Sequence, residues 1–169
     1  MFEGWENFYL IVGPSAAALI GLMFVVVTLN TGRGTDQAEW GKHLYTSPIV
    51  YHLTVVVMFS CAAMVPHISR LLVGGVTGVA ALGGLAFGVR STIGIARRQP
   101  TGEDSLFDMW WYGVAPTAGY IGLGAAAVSL LMGEWFADDL LGAALVALLL
   151  ISVHAEWDLV TFLAPRAKN

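Results

Sequence analysis

The chain has 169 residues, of which 57% are hydrophobic and only 12% are charged, and its mean hydropathy is +0.72. Soluble domains carry about 25% charged residues, so a surface wholly exposed to water is excluded and lipid must be part of the solvent. The net charge of −4 provides no basic surface for nucleic acid. The single cysteine, Cys61, cannot form an internal disulfide and is interpreted as a small core residue.

Five apolar stretches are each long enough to cross a bilayer as a helix, which takes about 20 residues. In chain order they cover residues 8–30, 47–66, 71–96, 110–132 and 140–164. The first residues contain Glu3 and Glu6 but no basic residue, so the first stretch is predicted to be a retained helix and not a cleaved signal. We therefore predict an all-α integral membrane bundle of five transmembrane helices, formed by residues 1–169 as a single domain.

Basic residues flank the predicted spans unequally and predict an orientation. One side of the membrane would hold Arg33, Lys42, Arg97, Arg98, Arg166 and Lys168. The other side would hold only Arg70. Because Lys and Arg concentrate in cytoplasmic loops, we predict that the N-terminus lies outside the cytoplasm and the C-terminus inside it.

The third stretch is rich in glycine. It contains Gly74, Gly75, Gly78, Gly83, Gly84, Gly88 and Gly94. Membrane helices associate through small residues that let their backbones approach closely. We therefore predict that this helix is central in the bundle.

Five ionisable residues lie inside the apolar stretches, where a charged residue costs about 2.5–3.5 kcal/mol at mid-membrane and is a functional candidate by default. They are His52, Arg90, His154, Glu156 and Asp158. The predicted orientation places all five in the cytoplasmic half of the membrane, because the first lies early in an outward-running helix and the others lie late in inward-running ones. We therefore predict a polar intramembrane site formed by these residues.

Helical spacing divides the ionisable residues of the last stretch. His154 and Asp158 are four apart, share a face and are expected to point into the bundle. Glu156 points nearly the opposite way, towards a second subunit or the inner surface. Arg90 is always charged and needs a counter-ion, for which Asp158 is the first choice and Glu156 the second. Three interpretations stay open: an ion pair that only sets helix register, an Arg90 side chain that reaches lipid phosphates, and a working site for a proton, an ion or a small polar solute.

His52 and His154 are also the candidates for a metal ion or for haem held by two histidines. No HExxH or CxxC spacing is present, and two ligands do not complete a structural zinc site, so we expect no cofactor. The sequence also lacks a nucleophile elbow and a phosphate-binding loop, which makes an enzyme the weaker expectation.

Short segments spread over most of the chain carry a resemblance. They are WENFY at residues 5–9, the apolar run 16–27, LYTSP at residues 44–48, YGVAP at residues 112–116, WDLVT at residues 157–161 and LAP at residues 163–165. These segments resemble a family of small polytopic inner-membrane proteins of bacteria. The resemblance implies a bacterial multi-span protein and no particular activity.

The leading functional hypothesis is a homo-oligomeric permeation or transport protein of the bacterial cytoplasmic (inner) membrane. A five-helix protomer is thin for enclosing a path alone, so the expected partners are the lipid bilayer and further copies of the chain. The alternative is an accessory or assembly subunit of a larger membrane complex, whose polar residues hold other membrane subunits. A haem- or metal-binding redox protein is the third hypothesis.

Overall fold

The computed structural model of the protein describes the backbone of residues 2–29, 36–97 and 109–163, and all side chains within them except those of residues 29, 36–47, 94–97 and 162–163. The described elements are all helical: α1, Glu6–Leu29; α2, Asp36–Ala63; α3, Arg70–Arg97; α4, Ala115–Met132; and α5, Ala137–Leu163. A short π-helical segment, Trp110–Val114, leads directly into α4. The predicted all-α class with five helices is confirmed for this part of the chain.

Four helical stretches are long and apolar enough to cross a membrane: Glu6–Thr28, Arg70–Ile93, Trp110–Met132 and Ala137–Thr161. A helix rises about 1.5 Å per residue, so stretches of 23 to 25 residues exceed a hydrocarbon core of about 30 Å. The described apolar part of α2, Pro48–Ala63, is shorter. By length and composition, the described residues therefore contain four such helices where the sequence predicted five spans.

Neighbouring helices along the chain run in opposite directions. Gly13, near the start of α1, lies against Ser60, near the end of α2. Gly74, near the start of α3, lies against Leu131, near the end of α4. Gly119 of α4 lies against Leu148 and Ile151 of α5. Gly122, further along α4, lies against Ala144, which is earlier in α5, so these two helices are antiparallel as well.

The N-terminal segment joins α1 to the start of α5. The Phe2 backbone N–H donates a hydrogen bond to Oδ2 of Asp138 over 2.9 Å. The ring of Trp5 lies so close to Gly142 that a Cβ there would approach it to 2.5 Å. The first turns of α1 and α5 are therefore side by side, and these two helices run in the same direction.

The central helix is α5, and the prediction that α3 is central is wrong. α5 packs against α1, α2 and α4, and its residues Leu141, Leu145 and Leu148 are fully buried. α3 packs mainly against α4, and Val79 and Leu82 on its other face are 72% and 70% exposed. The glycines of α3 bring one face close to its neighbours, but small residues on one face do not cover the other.

The outer surface of the bundle is apolar. Large hydrophobic side chains that are more than half exposed occur on four of the helices: Leu10, Ile11, Leu22, Phe24, Leu71, Leu72, Val79, Leu82, Ile121, Val128 and Leu150. Cys61 is also exposed, so its interpretation as a core residue is wrong. A surface this apolar is unfavourable in water and suits lipid. Together with the four apolar helices, it suggests a membrane-embedded protein.

Candidate functional site

Polar side chains from α5 and from the π-helical segment meet around Asp158. The Tyr112 hydroxyl donates a hydrogen bond to Asp158 Oδ2 over 2.7 Å. Nε2 of His154 lies 3.3 Å from the same oxygen, and the indole of Trp111 stacks on the imidazole with ring centroids 4.0 Å apart. We call these four residues the Asp158 cluster.

The local sequence explains how the Asp158 cluster forms. His154 and Asp158 are one helical turn apart, so α5 places them on one face as predicted. Pro116 has no N–H to donate to the carbonyl of Tyr112, and its ring crowds that carbonyl. The widened turn Trp110–Val114 ends two residues before this proline, and such turns occur frequently at functional sites. It presents Trp111 and Tyr112 together to α5.

The Asp158 cluster lies at the edge of the bundle and not deep inside it. The side chains of His154 and Asp158 are 26% and 35% exposed. We expected this face of α5 to point into the bundle, but it points towards the start of the α4 span. The cluster can therefore be reached from the surface.

A second polar group lies in the middle of the bundle. The imidazole of His52 is buried, and its Nδ1 lies 2.6 Å from the hydroxyl oxygen of the fully buried Tyr120. The hydroxyl of Tyr51 donates a hydrogen bond to the carbonyl of Ala80 over 2.8 Å, and its ring lies 6.0 Å from that of Tyr120. We call Tyr51, His52 and Tyr120 the His52 cluster.

Two adjacent glycines of α3 make room for the His52 cluster. A Cβ at Gly83 would collide with the Tyr51 hydroxyl, and a Cβ at Gly84 would collide with the Tyr120 ring. Both tyrosine rings therefore lie directly against the α3 backbone. Gly83 and Gly84 allow this close approach, which explains two of the glycines in the glycine-rich sequence of α3.

The two clusters are separate. The Asp158 cluster contains Tyr112, and the His52 cluster contains Tyr120. These two tyrosines are eight residues apart, or about 12 Å along a helix axis. His52 therefore belongs to a different cluster from His154 and Asp158, and the prediction that all five ionisable residues lie in the cytoplasmic half of the membrane stays a prediction. His52 and His154 thus have different neighbours, Tyr120 for the first and Asp158 and Trp111 for the second. The described residues contain no group of three or more His, Cys, Asp or Glu that could hold a metal ion.

Arg90 does not pair with Asp158, contrary to the sequence-based expectation. Its side chain is exposed on α3, and the described residues provide it with no carboxylate within 4.0 Å. The physical reason is that α3 and α5 both pack on α4 and have no contact with each other in the described range. Of the three interpretations, the structure agrees with a side chain directed to the surroundings of the bundle.

Glu156 lies on the side of α5 that faces α1. Only 9% of the residue is exposed, and it lines a cavity together with residues of α1 such as Leu19 and Met23. Its Oε1 has no hydrogen-bond partner among the described residues. The face of α5 opposite to His154 is partly covered by α1, and the expectation that Glu156 faces a second subunit or the inner surface stays a prediction.

Sequence reasoning missed the aromatic members of both clusters. The predicted site residues include none of Trp111, Tyr112, Tyr51 and Tyr120. A phenol inside an apolar helix is a usable signal, because a buried Tyr hydroxyl usually finds a hydrogen-bond partner. By contrast, the buried hydroxyls of Thr77 and Ser152 bond to carbonyls four residues back in their own helices and hold nothing else.

No family model, curated protein or solved structure matches the chain. The class supported by the fold is that of a helical, membrane-embedded bundle, with two polar clusters on α5 and α2 as its candidate sites.

Proposed function

We propose that the chain is a homo-oligomeric membrane protein that moves a proton, an ion or a small polar solute, with the Asp158 cluster as the binding site at one end of the path. The observation that supports this most directly is the meeting of a phenol and an imidazole on one carboxylate oxygen, Asp158 Oδ2. Such groups accept, hold and release protons. The side chains of His154 and Asp158 are partly exposed, so the cluster lies at the surface of the bundle.

The described interior supports a path between copies of the chain and not through one copy. Around the His52 cluster, whose ring nitrogen and phenol bond to each other, the middle of the bundle is filled by fully buried leucines: Leu53, Leu123, Leu130, Leu141, Leu145 and Leu148. Polar solutes do not cross a packed apolar core, because a polar group without partners there costs several kcal/mol, about 2–7. A second copy packed beside the Asp158 cluster would provide the remaining wall.

We further propose that α2 is a fifth crossing, with the N-terminus outside the cytoplasm and the C-terminus inside, in a bacterial inner membrane. α1, α3 and α5 run in one direction and α2 and α4 in the other, so the chain must return between α1 and α3. α2 has 28 residues, a length of about 42 Å. The excess of basic residues on the predicted cytoplasmic side supports the orientation.

Flux into vesicles tests the proposed function. The purified protein is reconstituted into vesicles that contain a pH-sensitive dye, and an imposed potential drives protons inward. We expect flux above that of protein-free vesicles, and a reduction of at least about tenfold in Asp158→Asn. Asp139→Asn is the matched control, because Asp139 is an exposed carboxylate at the other end of the same helix. If Asp158→Asn conducts protons, sodium and potassium as the parent does, the proposal is wrong.

A specific observation favours the alternative, an accessory subunit. Arg90 is exposed inside a helical stretch that is long enough to span a membrane. The described residues offer this cation no carboxylate, so lipid phosphates or an acidic residue from elsewhere, including another chain, would neutralise it. Native mass spectrometry of the protein extracted from its own membrane separates the two functions: a homo-oligomer supports transport, and one copy bound to other polypeptides supports the accessory role.

A further inference from the structure

The cavity beside Glu156 is distinct from the Asp158 cluster, because it lies on the opposite side of α5. It has a volume of about 330 Å³ between α1 and α5, and its floor is formed by the buried residues Met23 and Leu159. This volume is at the lower end of the range of small-molecule sites, about 300–1,000 Å³. Space for a molecule of roughly a dozen heavy atoms is therefore present within the apolar part of the bundle.

The cavity opens to the surroundings of the bundle and not to its centre. Three residues on its rim, Leu22, Val153 and Val160, are 60%, 44% and 41% exposed. All three belong to stretches long and apolar enough to span a membrane. A molecule that dissolves in the hydrocarbon of the bilayer can therefore enter from the side.

A single acidic group lies in this apolar cavity. Glu156 is more than nine-tenths buried, and its Oε1 has no hydrogen-bond partner among the described residues. No basic side chain of those residues lines the cavity. A carboxylate in apolar surroundings is unfavourable until a cation or a hydrogen-bond donor meets it.

An aromatic ring lies beside the carboxyl group. Trp157 follows Glu156 on α5 and lines the same cavity, with 68% of its surface exposed. The face of an indole attracts cations, and it does so more strongly when they leave water. A carboxylate, an indole and aliphatic walls together recognise an organic cation with an apolar body. A neutral lipid would use the walls but neither of the other two groups.

We propose that this cavity binds lipophilic amines in their protonated form, which enter from the bilayer and donate an N–H hydrogen bond to Glu156. The apolar body of the amine fills the space between α1 and α5, and the ammonium group lies between the carboxylate and Trp157. Binding in this cavity is independent of the transport function proposed for the Asp158 cluster.

Binding of two probes of equal size tests the site. 1-Naphthylmethylamine is a cation at neutral pH and 1-naphthalenemethanol is neutral, and each is titrated into the detergent-solubilised protein by calorimetry, with protein-free micelles as the blank. We expect the amine to bind the parent protein and to bind Glu156→Gln at least about tenfold more weakly. The alcohol should bind both proteins equally weakly. Glu3→Gln, at an exposed carboxyl group outside the helices, should bind the amine as the parent does.

A second variant fills the cavity and leaves Glu156 in place. Leu22→Trp should abolish amine binding, while Leu10→Trp, at a similarly exposed position of the same helix, should leave it unchanged. Equal amine affinity in the parent protein and Glu156→Gln would overturn the proposal, as would tighter binding of the alcohol than of the amine, or no binding of the amine to the parent. Because the readout is binding and not flux, a protein that binds the amine but conducts nothing contradicts only the proposed transport function.

Discussion

The hydroxyl of Tyr120 lies 2.6 Å from Nδ1 of His52, and this hydrogen bond joins the middle of α4 to the middle of α2. The backbones of these two helices do not pack against each other in the described range, so side chains bridge them. Both residues are buried, which makes the bond costly to break. It is the only polar contact between α2 and α4 among the described residues.

We expect Tyr120→Phe to lower the free energy of unfolding by about 1–3 kcal/mol, because it leaves the ring nitrogen of His52 buried without a partner. The measurement is unfolding of the purified protein in detergent. The double variant His52→Phe/Tyr120→Phe should recover part of the loss, since replacing both partners by apolar groups removes the unpaired nitrogen. A double variant less stable than Tyr120→Phe would contradict this explanation.

The close approach of α3 to the tyrosines predicts a difference between two glycines. Gly84→Ala should destabilise the protein by about 1–3 kcal/mol, because the added methyl group collides with the Tyr120 ring. Gly75→Ala is the control, since its Cβ would meet nothing within 4 Å among the described atoms and alanine favours a helix. Thermal unfolding in detergent compares them, and equal midpoints would show that the α3–α4 contact is looser than described.

The separation of Arg90 from Asp158 predicts that these residues are energetically independent. The effects of Arg90→Gln and Asp158→Asn on the free energy of unfolding should add to within about 0.5 kcal/mol. Breaking a buried ion pair costs about 3–5 kcal/mol and would produce strong coupling. A double-mutant cycle measures this coupling, and a value above about 1 kcal/mol would restore the ion pair that the sequence first indicated.

The proposed orientation predicts which loops a reagent reaches from outside the cell. In a Cys61→Ser background, Glu134→Cys lies between α4 and α5 and should react with a membrane-impermeant maleimide on bacterial spheroplasts. Gln99→Cys, in the segment between α3 and α4, should react only after the membrane is permeabilised. The reverse pattern would show that the orientation is the opposite one. Labelling of both positions from outside would show that the chain does not cross the membrane between them, where α4 lies.

Features that depend on local spacing were predicted well. The helical class and the approximate helix positions follow from runs of apolar residues, and the shared face of His154 and Asp158 follows from a separation of four. The end of the second span was predicted less well. The sequence predicts a span that continues to residue 66, whereas α2 ends at Ala63.

Features that depend on which helices are neighbours were not predictable. A counter-ion for Arg90 was sought on α5 because both residues lie near one end of their helices, but α4 lies between these helices. The environment of Glu156 likewise depends on α1, which is far away in the sequence. The position of a residue along its helix restricts which residues of other helices it can contact, but it does not decide which helix is the neighbour.

The amino-acid sequence by itself determined that the chain is helical, that lipid must cover much of it, and which polar residues interrupt the apolar helices. These properties follow from composition and from a period of 3.6 residues, which act over one or a few turns. Only the tertiary structure decided that α5 is central, that His52 bonds to Tyr120, that Asp158 meets Tyr112, and that Glu156 faces a cavity beside α1. The physical reason is that contacts between helices depend on the fit of whole faces, in which a glycine on one helix and a ring on another must match.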